Sequence, residues 1–159
     1  MKKLMLFAGL YCLQPTAHAA SIITPVKNIN ASVKATDRAL AHFKANFAEA
    51  TDAVWFTGSD EGIYCIFQQG NTHNRVFYSS RGYWEYTLLS YPPSALRKDV
   101  KDMVQENFKS YHISYVNEIR SNSDEPVYVI NIENGDFIKV IKEKGENIEI
   151  QESLEKQSD

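Results

Sequence analysis

The chain has few of the residues that staple, ligate or stretch a protein. Among its 159 residues there are two cysteines, Cys12 and Cys65, too few for a disulfide framework. Seven glycines and five prolines exclude a collagen-like chain. A membrane-crossing helix needs about twenty apolar residues, and the run Leu4–Leu13 stops at ten. Basic side chains are outnumbered, 17 against 20 acidic ones, for a net charge of −3. A partner with a phosphate backbone needs a clustered basic surface, so nucleic acid is excluded. Histidine is scarce as well. His42, His73 and His112 lack the i, i+2 or i, i+4 spacing that brings two imidazoles to one metal. There is no nucleophile elbow, phosphate-cradling glycine loop or His-Glu-x-x-His helix. No catalytic residue, metal ligand or cofactor is assigned, and the chain reads as a non-enzyme.

What is present begins with an export signal. Lys2 and Lys3 precede the apolar run, Pro15 breaks it, and Ala17-His18-Ala19 is a small-x-small site before Ala20. This is the pattern of a secretory signal peptide cleaved after about Ala19. A lipoprotein would place a cysteine at the cleavage point, but Cys12 follows the bulky Tyr11. Cleavage takes the net charge to −5 and leaves Cys65 as the sole cysteine, so no internal disulfide can form. Cys65 lies in the strand-like run Ile63–Phe67 and reads as a small buried hydrophobe. The expected address is periplasmic or secreted, with no membrane span after cleavage.

Beyond a polar segment, 20–35, periodicity takes over. Thr36, Leu40, Phe43 and Phe47 fall on one helical stripe. Strand-like runs follow at Asp52–Thr57, Ile63–Gln69, Arg75–Ser79 and Tyr83–Leu89. Pro92-Pro93-Ser94 ends them and opens a second helical stripe of Leu96, Val100, Met103, Val104, Phe108 and Tyr111. Four more runs follow: His112–Arg120, Val127–Glu133, Phe137–Lys142 and Asn147–Gln151. The halves correspond, Asn46-Phe47 answering Asn107-Phe108, Ile63–Phe67 answering Val127–Asn131 and Arg81-Gly82 answering Lys144-Gly145. The expected fold is α+β, a tandem repeat of helix plus four antiparallel strands. One domain, 36–151, holds repeats 36–91 and 94–151, with helices gathered on one sheet face. A charged tail, 152–159, is expected to fray.

The segments Phe43-Lys44-Ala45-Asn46-Phe47, Val54-Trp55, Gly62–Phe67, Arg75-Val76-Phe77-Tyr78, Gly82-Tyr83-Trp84 and Thr87 share a wider pattern. Tyr111, Ile113, Val116, Glu118-Ile119 and Tyr128-Val129-Ile130 continue it. As a set they resemble the secreted PepSY-like proteins with a β-lactamase-inhibitor-protein-like (BLIP-like) fold. Pro92-Pro93-Ser94 departs from the Leu-Pro more usual before the second helix. The resemblance implies a binding or inhibitory protein of a Gram-negative bacterium, and it brings no functional residues to transfer. In the inhibitor that lends the fold its name, the sheet presents aromatic side chains to an enzyme; extending that role here is analogy.

The surplus of the sequence is aromatic. A bulged turn at Ser79-Ser80-Arg81-Gly82 would pair Tyr78 with Trp84 and Val76 with Tyr86. Val76, Tyr78, Trp84, Tyr86 and Leu88 would then face the core, while Phe77, Tyr83, Glu85 and Thr87 share the open face with Tyr64. The expected binding residues are Tyr64, Phe77, Tyr83 and Glu85, offered to a protein or peptide, in one form an envelope hydrolase. The alternative is a small-ligand-sensing module with an apolar pocket between sheet and helices.

Overall fold

The computed structural model describes residues 35–58, 61–122 and 125–157. The expected signal peptide and residues 20–34 lie outside the described residues. Helix α1 spans Asp37–Asn46, and Thr36 caps it by accepting a hydrogen bond from Ala39 N at 3.2 Å. That bond satisfies one of the N–H groups a helix start leaves open. Thr36 is therefore the cap and not part of the apolar stripe; Ala39, Phe43 and Phe47 carry the packed face.

Strands β1 (Thr51–Thr57), β2 (Ile63–Gln69), β3 (Thr72–Tyr78) and β4 (Trp84–Tyr91) follow. A short 3-10 turn, Pro93–Ala95, leads to helix α2, Lys98–Asn107. Strands β5 (His112–Ser121), β6 (Val127–Glu133), β7 (Phe137–Lys144) and β8 (Asn147–Glu155) complete the chain. All eight strands form one sheet in chain order, each antiparallel to the next. The apolar period from Leu96 to Tyr111 outlasts the ten residues of α2. Proline presets the turn before the helix, and Leu96, Phe108 and Tyr111 flank α2 while packing on the same core.

The two helices lie on the same sheet face over separate cores. Under α1, Ala39, Ile63, Cys65, Phe67, Val76 and Tyr78 are buried, with Phe43, Phe47, Trp55 and Trp84 packed against them. Under α2, Val100 and Val104 meet Val116, Tyr128, Ile130, Ile132 and Ile141. Cys65 is fully buried, and burial pushes its thiol pKa up to about 12, leaving it unreactive.

Three expectations need correction. The tail does not fray from Glu152: β8 runs to Glu155, which pairs with Phe137, and Lys156 N donates to Asp136 O. Charged side chains suit that edge strand because they discourage pairing with other chains. The equivalence of Ile63–Phe67 with Val127–Asn131 is one residue out of phase. Ile63 faces α1, whereas Val127 pairs with Ile119 on the opposite face. Tyr86 and Leu88 do not face the core, because Glu85 is an extra residue in β4 that inverts the alternation after Trp84.

The core under α2 has one weak point. Glu143 is 2% exposed and pairs across the sheet with Tyr128, yet among the described residues its Oε2 has no hydrogen-bond partner. Burial raises the Glu143 pKa above its ordinary 4.5, against the pull of Arg97. A raised folded-state pKa penalises folding wherever the carboxyl is ionised, and the penalty vanishes as pH falls below the unfolded value. Glu143→Gln is therefore expected to raise Tm at neutral pH and to lose that advantage near pH 4.5. Paired thermal melts at the two pH values check this.

Candidate functional site

The turn between β3 and β4 decides which aromatic side chains share a face. Gly82 adopts φ +81° and donates to Ser79 O at 2.8 Å, closing the turn as expected. Tyr78 then pairs with Trp84, but the next pair is Phe77 with Tyr86. Glu85 is the extra residue of a β-bulge. From there the alternation is inverted: Val76 pairs with Thr87, Arg75 with Leu88 and Asn74 with Leu89. Thr87, Leu89 and Tyr91 thus face the helices, and Tyr86 and Leu88 face away from them.

The face away from the helices carries an aromatic ladder. Phe56 (β1), Tyr64 (β2), Phe77 (β3) and Tyr86 (β4) occupy one cross-strand row. Their ring centroids are 5.2, 5.5 and 4.3 Å apart in turn, with interplanar angles of 25°, 27° and 19°. Such offset stacks contribute about 0.5–1.5 kcal/mol each beyond area burial. Tyr64, inside the ladder, is only 8% exposed although it lies in neither helix-side cluster. The adjacent row runs Val54, Ile66, Arg75, Leu88, Ile119 and Val127 across six strands. Val54 is 47% exposed. The two rows, apolar but for Arg75, lie on a face over which neither helix packs.

Of the four expected binding residues, Tyr64 and Phe77 are adjacent in the ladder. Tyr83 is not in it: its ring lies 4.0 Å beneath the Arg38 guanidinium of α1, and it is 55% exposed. Glu85 is exposed at the bulge. Phe56 and Tyr86 complete the ladder and were missing from the expected set. Phe56 alternates with the inward Trp55, a signal present in the sequence; Tyr86 depends on the bulge.

The helix face holds a different feature. His42 stacks on Trp84 with centroids 5.7 Å apart and planes 14° from parallel. Its Nδ1 lies 3.1 Å from Tyr78 Oη, and Trp84 Nε1 donates to Thr87 Oγ1 at 3.0 Å. Arg120 Nε donates to Glu118 Oε1 at 2.6 Å, while Tyr91 Oη donates to Glu118 Oε2 at 2.6 Å. A cavity of about 470 Å³ opens among His42, Phe47, Trp84, Leu89 and Arg120. Burial lowers the His42 pKa from 6.5, so its imidazole is neutral at neutral pH. Among the described residues no three His, Cys, Asp or Glu side chains converge to hold a metal.

The lowered His42 value has a consequence for stability. The unfolded chain takes up the proton first, so stability is full above pH 6.5 and is lost as pH falls toward the folded pKa. His42→Gln should flatten the decline of Tm between about pH 7 and pH 5, the range set by histidine titration. An unchanged slope would assign that decline to other groups.

Two helices on one face of an eight-stranded antiparallel sheet define an α+β protein of BLIP-like fold. No family model matches the sequence, and no curated protein is significantly similar to it. Solved structures share the architecture. A BLIP-like protein from Bacteroides fragilis matches with TM-score 0.60 at 13% identity, over 77% of this chain and 87% of that one. A DUF2874 family protein from Bacteroides ovatus matches with TM-score 0.60 at 13% identity, over 77% and 89%. A candidate periplasmic protein from Bacteroides eggerthii matches with TM-score 0.59 at 12% identity, over 77% and 90%. At such identities the likeness speaks to the fold. Among the described residues no helix is long and apolar enough to cross a membrane.

Proposed function

We propose that this is a non-enzymatic periplasmic or secreted binding protein that engages a protein or peptide through the outer face of its sheet. The observation that carries the reading is the Phe56–Tyr64–Phe77–Tyr86 ladder, stacked and set on the face opposite both helices. Stacked aromatics lose little side-chain entropy on binding, which is why such residues anchor interfaces. Inhibition of an envelope hydrolase is the specific form suggested by the BLIP-like fold. Kinship with PepSY-like proteins and descent from a duplicated unit of helix plus four strands belong to the same reading, supported by the chain order α-β-β-β-β twice over.

The test is capture from envelope extract on the immobilised protein, purified after expression of the full chain. A partner held by the native protein and lost with Phe77→Ala supports the reading; a partner held equally by both overturns it. Export has its own check. After expression in a Gram-negative host, the intact mass should correspond to a chain beginning at Ala20. A membrane-retained chain that keeps Met1 would remove the localisation.

A further inference from the structure

We propose that the cleft between α1 and the β4–β5 step binds a small planar carboxylate, an aromatic acid held between the Trp84–His42 stack and the Arg120 guanidinium. The site is on the helix side of the sheet and does not depend on the outer-face reading.

The cleft follows from the dimensions of the fold. Eight strands spaced by about 4.8 Å make a sheet roughly 34 Å wide. Two helices, each about 10–12 Å across with side chains, cover some two-thirds of it. Each helix sits over its own core, and the band left between them crosses β4 and β5 at Thr87 and Arg120, since Tyr91 and Val116 of the same strands lie in the core under α2. The cavity lies in that band, and its 470 Å³ falls in the range of small-molecule sites, roughly 300–1,000 Å³.

Its walls are arranged in the way of a binding site and not of a packing defect. Three of the wall side chains are held by buried partners. His42 is held by Tyr78, Trp84 by Thr87 and Arg120 by Glu118. Those partners are 1%, 4% and 4% exposed. Such backing fixes the walls before a ligand arrives and reduces the ordering cost of binding. A buried Glu118 is costly as mere filling; here it orients a guanidinium whose side chain remains 58% exposed.

The chemistry of the ligand follows from what the walls offer. With His42 neutral, Arg120 carries the formal charge among the described lining residues, and that charge is positive. Only Nε is committed to Glu118, so the terminal N–H donors are the ones to meet a carboxylate, which guanidinium matches in geometry. Beside it lie the flat Trp84–His42 pair, Phe47 and Leu89, which suit a planar apolar body. Glu118 already accepts from the guanidinium's Nε, so one carboxylate meeting its terminal N–H groups is the fit, not a polyanion.

Calorimetric titration of the full-chain product with 2-naphthoate and its neutral isostere 2-naphthamide tests this. Naphthoate should bind, quenching tryptophan fluorescence, and naphthamide should bind at least about tenfold more weakly, the worth of a charge-assisted hydrogen bond. Arg120→Gln should remove the discrimination and Trp84→Phe should weaken both ligands. Equal binding of the two ligands to the native protein overturns the proposal, as does no naphthoate binding at several millimolar. The comparison of ligands on unaltered protein keeps the test valid should a variant fold poorly.

Discussion

Replacing Gly82 with alanine is expected to cost roughly 2–4 kcal/mol, although the change adds one methyl group at a turn. Gly82 has φ +81°, where a Cβ costs about 1–2 kcal/mol in an L-residue. The added carbon would lie 1.9 Å from Thr36 Oγ1, the atom that caps α1, and 3.1 Å from the backbone nitrogen of Ala39. Thr36 must rotate away and surrender the cap, a loss of about 0.5–2 kcal/mol. Ala39 N is backbone and cannot yield without lifting the first turn of α1 from the sheet. Set against the 5–15 kcal/mol that holds a domain together, the sum corresponds to a fall in Tm of roughly 10 °C. Gly70→Ala is the control: φ is +57° but nothing lies within 4 Å, so only the strain applies, about 1–2 kcal/mol. Thermal melts of the two variants should differ by several degrees. If they coincide, α1 does not rest on the hairpin turn as described.

How far the fold was legible follows from where its information lies. Strand order was readable because the β3–β4 and β7–β8 reversals carry glycines with positive φ, Gly82 and Gly145, and sequential hairpins give a meander. The face assignment after Trp84 was not readable, because a bulge leaves no mark in composition. Glu85 looks like one more alternating residue, yet as the extra one it turns Tyr86 outward and brings Thr87 under Trp84. The cleft was half legible. Glu118 and Arg120 stand two apart on a strand whose Val116 is core, so period 2 alone points both toward the helices. The His42–Tyr78 contact spans 36 positions and could not be inferred from local pattern. Glu143, a charged residue at an inward position of β7, likewise reads as surface until the register with Tyr128 is known.

Phe77→Ala is expected to weaken partner binding by roughly 30- to 1,000-fold, the loss of a hot-spot aromatic worth about 2–4 kcal/mol. Phe77 has ladder neighbours on both sides, Tyr64 at 5.5 Å and Tyr86 at 4.3 Å. Its removal unstacks two pairs at once and leaves Tyr64 and Tyr86 without the ring that holds them parallel. The fold should survive, because Phe77 is half-buried and outside both cores. Two lost stacks predict a cost of about 1–3 kcal/mol, visible in melting but compatible with a folded protein at room temperature. Tyr83→Ala is the matched comparison. It removes a larger and more exposed ring, 55% accessible, but one that packs under Arg38 on the helix side. Surface plasmon resonance on a captured partner should therefore show a collapse for Phe77→Ala and a change within about threefold for Tyr83→Ala, as for a residue outside the interface. The reverse ranking would move the binding surface to the helix side of the sheet. Equal losses would mean that neither face alone makes the contact.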